Sequence, residues 1–399
     1  MTAPRSPLAP NPLLAAVEAP PVALVQSWTA GRNFPAERPL LDLAQAAPGW
    51  PMAAELTGHV ARLMAEPRFG AYAPILGQPE LRAALAEDIA TAYGGAVAAD
   101  EIAITSGCNQ AFVVAILALA RAGDAVMLPV PWYFNHKMTL DMFGIEAQPL
   151  PCRAEDAMVP DPERAAALIT PRTRAIVLVT PNNPTGAIYP AETLAAFRDL
   201  ARSRGLALVV DETYRDFMPA DAAVGPPHDL FRDPAWGETV VHLYSFSKAD
   251  AMPGLRVGAA AAGAPIVAAM QKALASIAIC ASQPGQAAAL FGIRALGAWR
   301  AEKRREMAAR LDAFRRAMAP VADRFPIVSA GAFFAYCGHP FGAGALAAAK
   351  RLADEAAIMA MPGSAFGPDQ ERMIRFAFGN IAPERAGAVG ARLAEMGQE

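Results

Sequence analysis

Cysteine, histidine and charge are all scarce in this chain of 399 residues. The four cysteines, Cys108, Cys152, Cys280 and Cys337, lie far apart and form no C-x-x-C pair, which excludes a disulfide scaffold and a zinc or dithiol motif. The five histidines are scattered and no H-E-x-x-H occurs, so no structural metal is expected. Charged residues make up only 18%, with a net charge of −3, which excludes partners held by bulk electrostatics: no nucleic acid and no anionic membrane surface are expected. A basic region followed by an apolar run is also lacking at the start, where Pro4, Pro7, Pro10, Pro12 and then Glu18 break the pattern. The longest charge-free stretch, 273–293, could span a bilayer, but Ser276, Ser282, Gln283, Pro284, Gly285 and Gln286 make it read as a buried segment. A soluble, cytoplasmic protein is expected.

Hydrophobic residues reach 54%, enough for a large core and, at about 150 residues per domain, two to three domains. The first fifty or so residues are rich in proline and read as an irregular arm lying over another part of the molecule. Short runs rich in Val, Ile and Leu then recur at 102–105, 125–129, 174–180, 206–211 and 239–244, hemmed in by Pro, Gly or Asp. Helical patterns at 109–121, 133–143 and 191–204 separate them. Continuous apolar strands divided by helices indicate a mostly parallel sheet covered on both faces, hence an α/β fold. From about residue 295 the texture changes to a long helix over 298–318, strands at 326–329 and 332–336, a helix over 343–356, a strand pair and a final helix after Pro383. That reads as a smaller α+β domain. The resulting division is an arm, 1–45, belonging with the small domain; a large domain, 46–294; and a small C-terminal domain, 295–399.

Six short motifs carry chemistry. In Ser245-Phe246-Ser247-Lys248, a lysine just after a buried strand can be desolvated, which favours the neutral amine needed to condense with a carbonyl. Ser245, Ser247 and the following Arg256 supply hydroxyls and a guanidinium suited to a phosphate. Asp211 ends an apolar strand, where an acid faces the ligand crevice of a parallel sheet, and Tyr214 follows it. The rigid loop Thr180-Pro181-Asn182-Asn183-Pro184-Thr185-Gly186 can hold an amide donor. Gly107, Cys108 and Asn109 open a helix directly after a strand and offer free amides to an anion. Tyr133, past another strand end, can stack on a flat ring. Arg375, inside an alternating strand, is costly to bury unless it has a partner, which a substrate carboxylate or an internal salt bridge would provide. Each motif alone has an ordinary structural explanation: a surface lysine, a helix cap, a turn or core packing. Their joint occurrence, in this order, does not.

As a set, these motifs resemble the class I/II aminotransferase family of pyridoxal-phosphate enzymes of fold type I, from about Ala71 to Gly379. The resemblance implies a large domain built on a seven-stranded, mostly parallel sheet, plus the smaller α+β domain. It implies that Lys248 holds pyridoxal 5'-phosphate covalently and shuttles the proton. Asp211 would pair with the ring nitrogen, Asn183 and Tyr214 with the ring oxygen, and Tyr133 would stack on the ring. Gly107, Cys108, Asn109, Ser245, Ser247 and Arg256 would hold the phosphate. Tyr72, in Tyr72-Ala73-Pro74, is similar to the tyrosine that reaches the phosphate of a neighbouring subunit, which implies a homodimer. Arg375 matches the arginine that grips the substrate α-carboxylate, with Arg372 the alternative register. The implied activity is amino-group transfer from an α-amino acid to a 2-oxo acid in two half-reactions.

Departures from the family pattern bear on the donor. Ala46 stands where the family usually has glycine, in a loop near the substrate carboxylate. Position 109 is Asn instead of Lys, and 276–286 contains no Arg, which favours a neutral or apolar donor over a dicarboxylate. Two other functions remain open at this point. A β-eliminating lyase would use the same cofactor residues. A ligand-sensing regulator would need a DNA-binding helix-turn-helix, and only the proline-broken arm precedes Tyr72.

Overall fold

A computed structural model describes residues 8–218 and 227–397. Pro4 and Pro7 of the expected arm, and the last two residues of the expected small domain, lie outside the described residues. The arm is not irregular: it contains helices α1 (Pro12–Ala16) and α2 (Pro21–Ser27), followed by strand β1 (Leu41–Asp42). Both helices begin on a proline, whose missing N–H costs nothing in a first turn and whose fixed φ suits a helix start. Proline here starts helices instead of breaking them.

Helices α3 (Ala54–Leu63) and α4 (Pro79–Tyr93) lead into an alternation of strands and helices. In chain order these are β2 (Ile102–Thr105), α5 (Cys108–Leu119), β3 (Ala125–Val130), α6 (Phe134–Met142), β4 (Glu146–Pro151), α7 (Pro162–Leu168), β5 (Thr173–Val179), α8 (Ala191–Arg204), β6 (Ala207–Asp211), β7 (Val240–Ser245), α9 (Phe246–Ala249) and β8 (Gly258–Ala261). The strands form one sheet in the order β2-β8-β7-β6-β5-β3-β4, parallel except for β8, which runs antiparallel to both neighbours. The five runs foreseen in the sequence are all strands, within one residue at each end. β4 and β8 were not foreseen. β4 is a half-exposed edge containing two prolines, and β8 reads Gly-Ala-Ala-Ala, without the branched side chains that mark a strand.

Alternate residues of the central strands feed two cores. Ile104, Met127, Ile176, Leu178, Leu208 and Val210 pack to one side, and Ala103, Val126, Leu128, Val177, Val209 and Leu243 to the other. Both faces are covered, which explains the continuous apolar runs.

Helices α10 (Ala264–Ile277) and α11 (Gln283–Ala295) follow. The charge-free stretch 273–293 therefore does not form one buried segment. Ile277 and Ile279 are 50% and 43% exposed, and no helix of the described residues is long and apolar enough to cross a membrane. The 22-residue α12 (Gly297–Met318) leads to β9 (Ile327–Gly331), β10 (Phe334–Gly338), α13 (Ala345–Glu355), β11 (Ile358–Met359), β12 (Met361–Pro362), β13 (Met373–Phe376) and α14 (Pro383–Glu395). Three short strands stand where a pair was expected. An antiparallel sheet β12-β13-β10-β9 packs over a third core rich in phenylalanine. β1 pairs in parallel with β11, so the arm joins the C-terminal part through backbone hydrogen bonds.

Two glycines of α14 make the packing testable. A Cβ on Gly390 would overlap the Ala317 carbonyl of α12, whereas a Cβ on Gly387 meets nothing within 4 Å. We expect Gly390→Ala to cost about 1–3 kcal/mol by overpacking. Gly387→Ala should add about 0.5–1 kcal/mol by helix propensity. Urea unfolding midpoints of the two variants check both signs.

Candidate active site

The parallel strands end at one edge of the sheet, and there Val179, Asp211 and Ser245 line a cavity of about 490 Å³. Loops and helix starts following those strands bring Asn183, Tyr214, Ser247, Lys248 and Arg256 to the same space, with Arg375 from β13. Cys108, Asn109, Tyr133 and Ala46 also line it. Gly107 abuts the cavity as the residue before α5, with φ +88° and no side chain, so that the Arg256 guanidinium can lie against it. Of the site residues expected from the sequence, Gly107 and Tyr72 do not line this cavity; Gly107 adjoins the lining residue Cys108, whereas Tyr72 stands apart at 78% exposed. Arg372, the alternative register to Arg375, also lies elsewhere, donating to the Phe341 carbonyl at 2.6 Å.

Lys248 sits on the single turn α9, which Ser245 caps by accepting the Ser247 amide at 3.3 Å. Its Nζ donates to the Ala46 carbonyl at 2.5 Å and has no carboxylate partner among the described residues. Burial, then the nearby Arg375 and Arg256 cations, push its pKa down to about 8. The amine is thus part-neutral near physiological pH, as a nucleophile requires.

Asp211 is 4% exposed. Burial alone would raise its pKa, but His136 and the Thr213 amide more than offset that and hold the carboxylate below its ordinary value. His136 Nε2 stands 3.3 Å from Oδ2, and the Thr213 N–H donates to Oδ1 at 2.9 Å. The Cys108 thiol lies 3.7 Å from the same Oδ1. His136 was missed in the sequence, although it lies one helical turn after Tyr133, which would have placed the two on one face. Its ring stacks on Phe112 at 3.8 Å and meets Tyr133 edge-on at 5.1 Å.

Arg375 is 2% exposed. It donates to Asn183 Oδ1 at 2.8 Å and to the Ala44 carbonyl, and lies 4.9 and 5.0 Å from the ring centres of Phe334 and Phe366. Its Nε is buried without a hydrogen-bond partner, and no carboxylate among the described residues pairs with it. Burial lowers its pKa to about 10, against the opposing pull of Tyr214, Tyr133, Tyr336 and Asp42. A buried guanidinium in this condition can pair with a carboxylate.

The opposite wall suits a phosphate. α5 starts at Cys108 without a side-chain cap, leaving its first amides for a ligand. The Gly107 amide is not among them, because it turns inward to the Thr105 carbonyl at 2.8 Å, and the cradle narrows to Cys108 and Asn109. Gly258 pairs with both Thr105 and Ser245, and a Cβ there would come within 2.6 Å of the Cys108 nitrogen. Only glycine lets β8 approach the start of α5 this closely. Two anion receptors, a desolvated lysine and a buried carboxylate thus face one space, and these residues fit pyridoxal phosphate and an amino acid together.

Chains of known type agree with this geometry. Residues 36–388 match the family model of aminotransferase class I and II. An aromatic aminotransferase of Arabidopsis thaliana is 27% identical over 360 residues, 88% of each chain. An arginine–pyruvate transaminase of Pseudomonas aeruginosa is 31% identical over 309 residues, 76% of this chain and 77% of that one. Among solved structures, a single mutant of Thermus thermophilus aspartate aminotransferase superposes with a TM-score of 0.88 at 26% identity, covering 97% of this chain and 99% of that one.

The Lys248 environment can be titrated directly. In the apo protein, acylation of Lys248 read by peptide mass spectrometry should rise with pH through a midpoint near 8. Removing a neighbouring cation favours the ammonium form, so Arg375→Met should move that midpoint upward.

Proposed function

The chain belongs to the class I and II aminotransferases, and from that premise we propose that this enzyme transfers the amino group of an α-amino acid with an uncharged, largely apolar side chain to a 2-oxo acid, with Lys248 as the reacting amine. The observation that carries the reading is the half-buried Lys248, without a carboxylate partner among the described residues and with its pKa lowered to about 8, in one cavity with Asp211 and Arg375.

Pyridoxal phosphate, the cofactor of this family, supplies a carbonyl for amines and a ring that withdraws electrons from the substrate Cα. Lys248 would hold it, Asp211 would face its ring nitrogen, and Asn183 and Tyr214 would face its ring oxygen. Tyr133 would lie against the ring, and Cys108, Asn109, Ser245, Ser247 and Arg256 would surround the phosphate. His136 and Thr213 keep Asp211 ionised, so that its charge opposes a protonated nitrogen without reorganisation. Arg375 orients the substrate by its carboxylate. Lys248, once free, takes the proton from Cα and returns one as general acid, a role suited to a pKa near the working pH.

The donor follows from what remains of the lining. Pro20 and Val22 of the arm, Gln45, Asn109, Phe134 and Asn135 are all uncharged. The three cations that line it among the described residues, Lys248, Arg256 and Arg375, already have roles, and none of these is left for a second carboxylate. Relatives act on aromatic amino acids, on arginine or on aspartate, so family membership leaves the donor to the lining. The proposal extends to a cytoplasmic homodimer. The exposure of Tyr72, outside its own cavity, supports a reach into the second copy, and free thiols at all four cysteines suit a reducing compartment.

A screen of amino donors against several 2-oxo acids tests the substrate reading. Leucine, methionine or phenylalanine should exceed aspartate by about tenfold or more in kcat/KM. A preference for aspartate would overturn the donor assignment. Without a 2-oxo acid, turnover should stop after one equivalent, and continued ammonia release would identify a lyase. Lys248→Ala should lose the yellow colour, the borohydride-trapped adduct and about a thousandfold in kcat.

A further inference from the structure

We propose that Asp250, gripped by Arg300, is a positioning residue for Lys248, anchoring the turn that carries the amine to the long helix α12. The inference rests on Lys248 being the reacting amine.

Asp250 follows Lys248 by two residues and closes α9. It is wholly buried, yet it does not line the active-site cavity. Arg300, in the first turns of α12, grips both its oxygens, with Nε and NH2 each donating at 2.7 Å. This is the forked guanidinium–carboxylate arrangement, which fixes direction as well as distance. The chain next to it needs an outside constraint. Ala251 and Arg256 both have φ of +51°, the left-handed region that L-residues avoid, and they bracket the loop that also delivers Arg256 to the phosphate wall.

The fit around the carboxylate is tight. A Cβ at Gly292 of α11 would overlap Asp250 Oδ2. Asp250 is thus clasped between two helices that belong to neither the strand nor the turn carrying Lys248. α12 also reaches the rest of the site. One turn on, Arg304 Nε donates to the Asp216 carbonyl at 2.9 Å, two residues past Tyr214. Further along, Arg310 NH1 donates to the Gly379 carbonyl at 2.7 Å, four residues past Arg375. One helix therefore sets the relative placement of Lys248, Tyr214 and Arg375.

Charge does not explain the pair. The cations acting on Lys248 are Arg375 and Arg256, and Arg300 neutralises Asp250 at contact distance. Tyr244, Asp216 and Asp88 also act on the pair electrostatically, and Tyr244 donates to Asp216 Oδ2 at 2.8 Å. What reaches the active site is geometry.

The test uses the holoenzyme with four substitutions that leave every cavity residue in place: Gly292→Ala, Asp250→Asn, Arg300→Lys and Arg300→Met. Gly292→Ala pushes on the carboxylate without altering any charge; overpacking opposes the gain in helix propensity, so its folding is checked by far-ultraviolet circular dichroism, and Asp250→Asn tests the same contact without added bulk. The expected result is a fall in kcat of about tenfold or more, because a small misplacement of a reacting group is costly. KM for the donor should stay within about twofold, since Arg375 is untouched. The visible circular dichroism of the bound cofactor should weaken in parallel, and apo protein should take up pyridoxal phosphate more slowly. Arg300→Lys keeps the charge but not the fork, and should fall between wild type and Arg300→Met. Wild-type kcat and dichroism in folded Gly292→Ala and Asp250→Asn would overturn the proposal, as would a loss carried by KM alone. If Lys248→Ala kept its colour and turnover, the reading of Lys248 itself would have failed, which is a separate result.

Discussion

Three cations, Lys248, Arg256 and Arg375, share one cavity with a single lining carboxylate, Asp211. Arg375 is buried, Lys248 half-buried and Arg256 exposed; holding like charges this close is unfavourable, and the fold must fix them with rigid elements. That constraint accounts for much of the architecture. Strand ends fix Asp211 and the Lys248 turn, a strand of the second sheet fixes Arg375, and buried aromatic rings flank its guanidinium. The same repulsion, added to burial, brings the lysine to about pH 8.

Behind the cavity the polar groups are paired with unusual thoroughness. Glu212, next to Asp211, takes His242 at 2.8 Å, His228 at 3.3 Å and the Tyr93 hydroxyl, and the histidines hold it well below its ordinary pKa although burial acts the other way. Arg215 pairs with Asp88 and lies over the Tyr244 ring at 3.9 Å. Buried charge that is paired and hydrogen-bonded resists rearrangement, since removing either member leaves the other stranded. The acidic side of the site is therefore stiff, whereas Arg375 Nε, in the cavity, is buried without a hydrogen-bond partner.

Much of the fold and the site was legible because their signals are local. A strand buried on both faces must be apolar throughout, and a ligand-bearing strand end must turn sharply, so Pro, Gly, Asn and Asp mark the places where Asn183, Asp211 and Lys248 emerge. Other features leave no local mark. The carbonyls of Ala44 and Ala46, which receive Arg375 and Lys248, are backbone groups that any residue would present. His136 looked like one of five scattered histidines until α6 folded it against Asp211. The arm helices were hidden because proline can start a helix as well as break one, and β8 because alanine carries no strand preference.

By itself, then, the sequence determined the layered α/β architecture and the order of its central strands' motifs, and it marked the residues that the fold brings to one cavity, all of which depend on periodicity or on neighbouring residues. Tertiary structure alone decided which cations lack a carboxylate partner among the described residues, how far Lys248 is lowered, which neutral residues line the cavity, and that Asp250 is held by Arg300. These are properties of electrostatics and close packing between segments distant in the chain. Their energies vary with separation and burial, and neither quantity exists until the sheet edge, the arm and α12 come together.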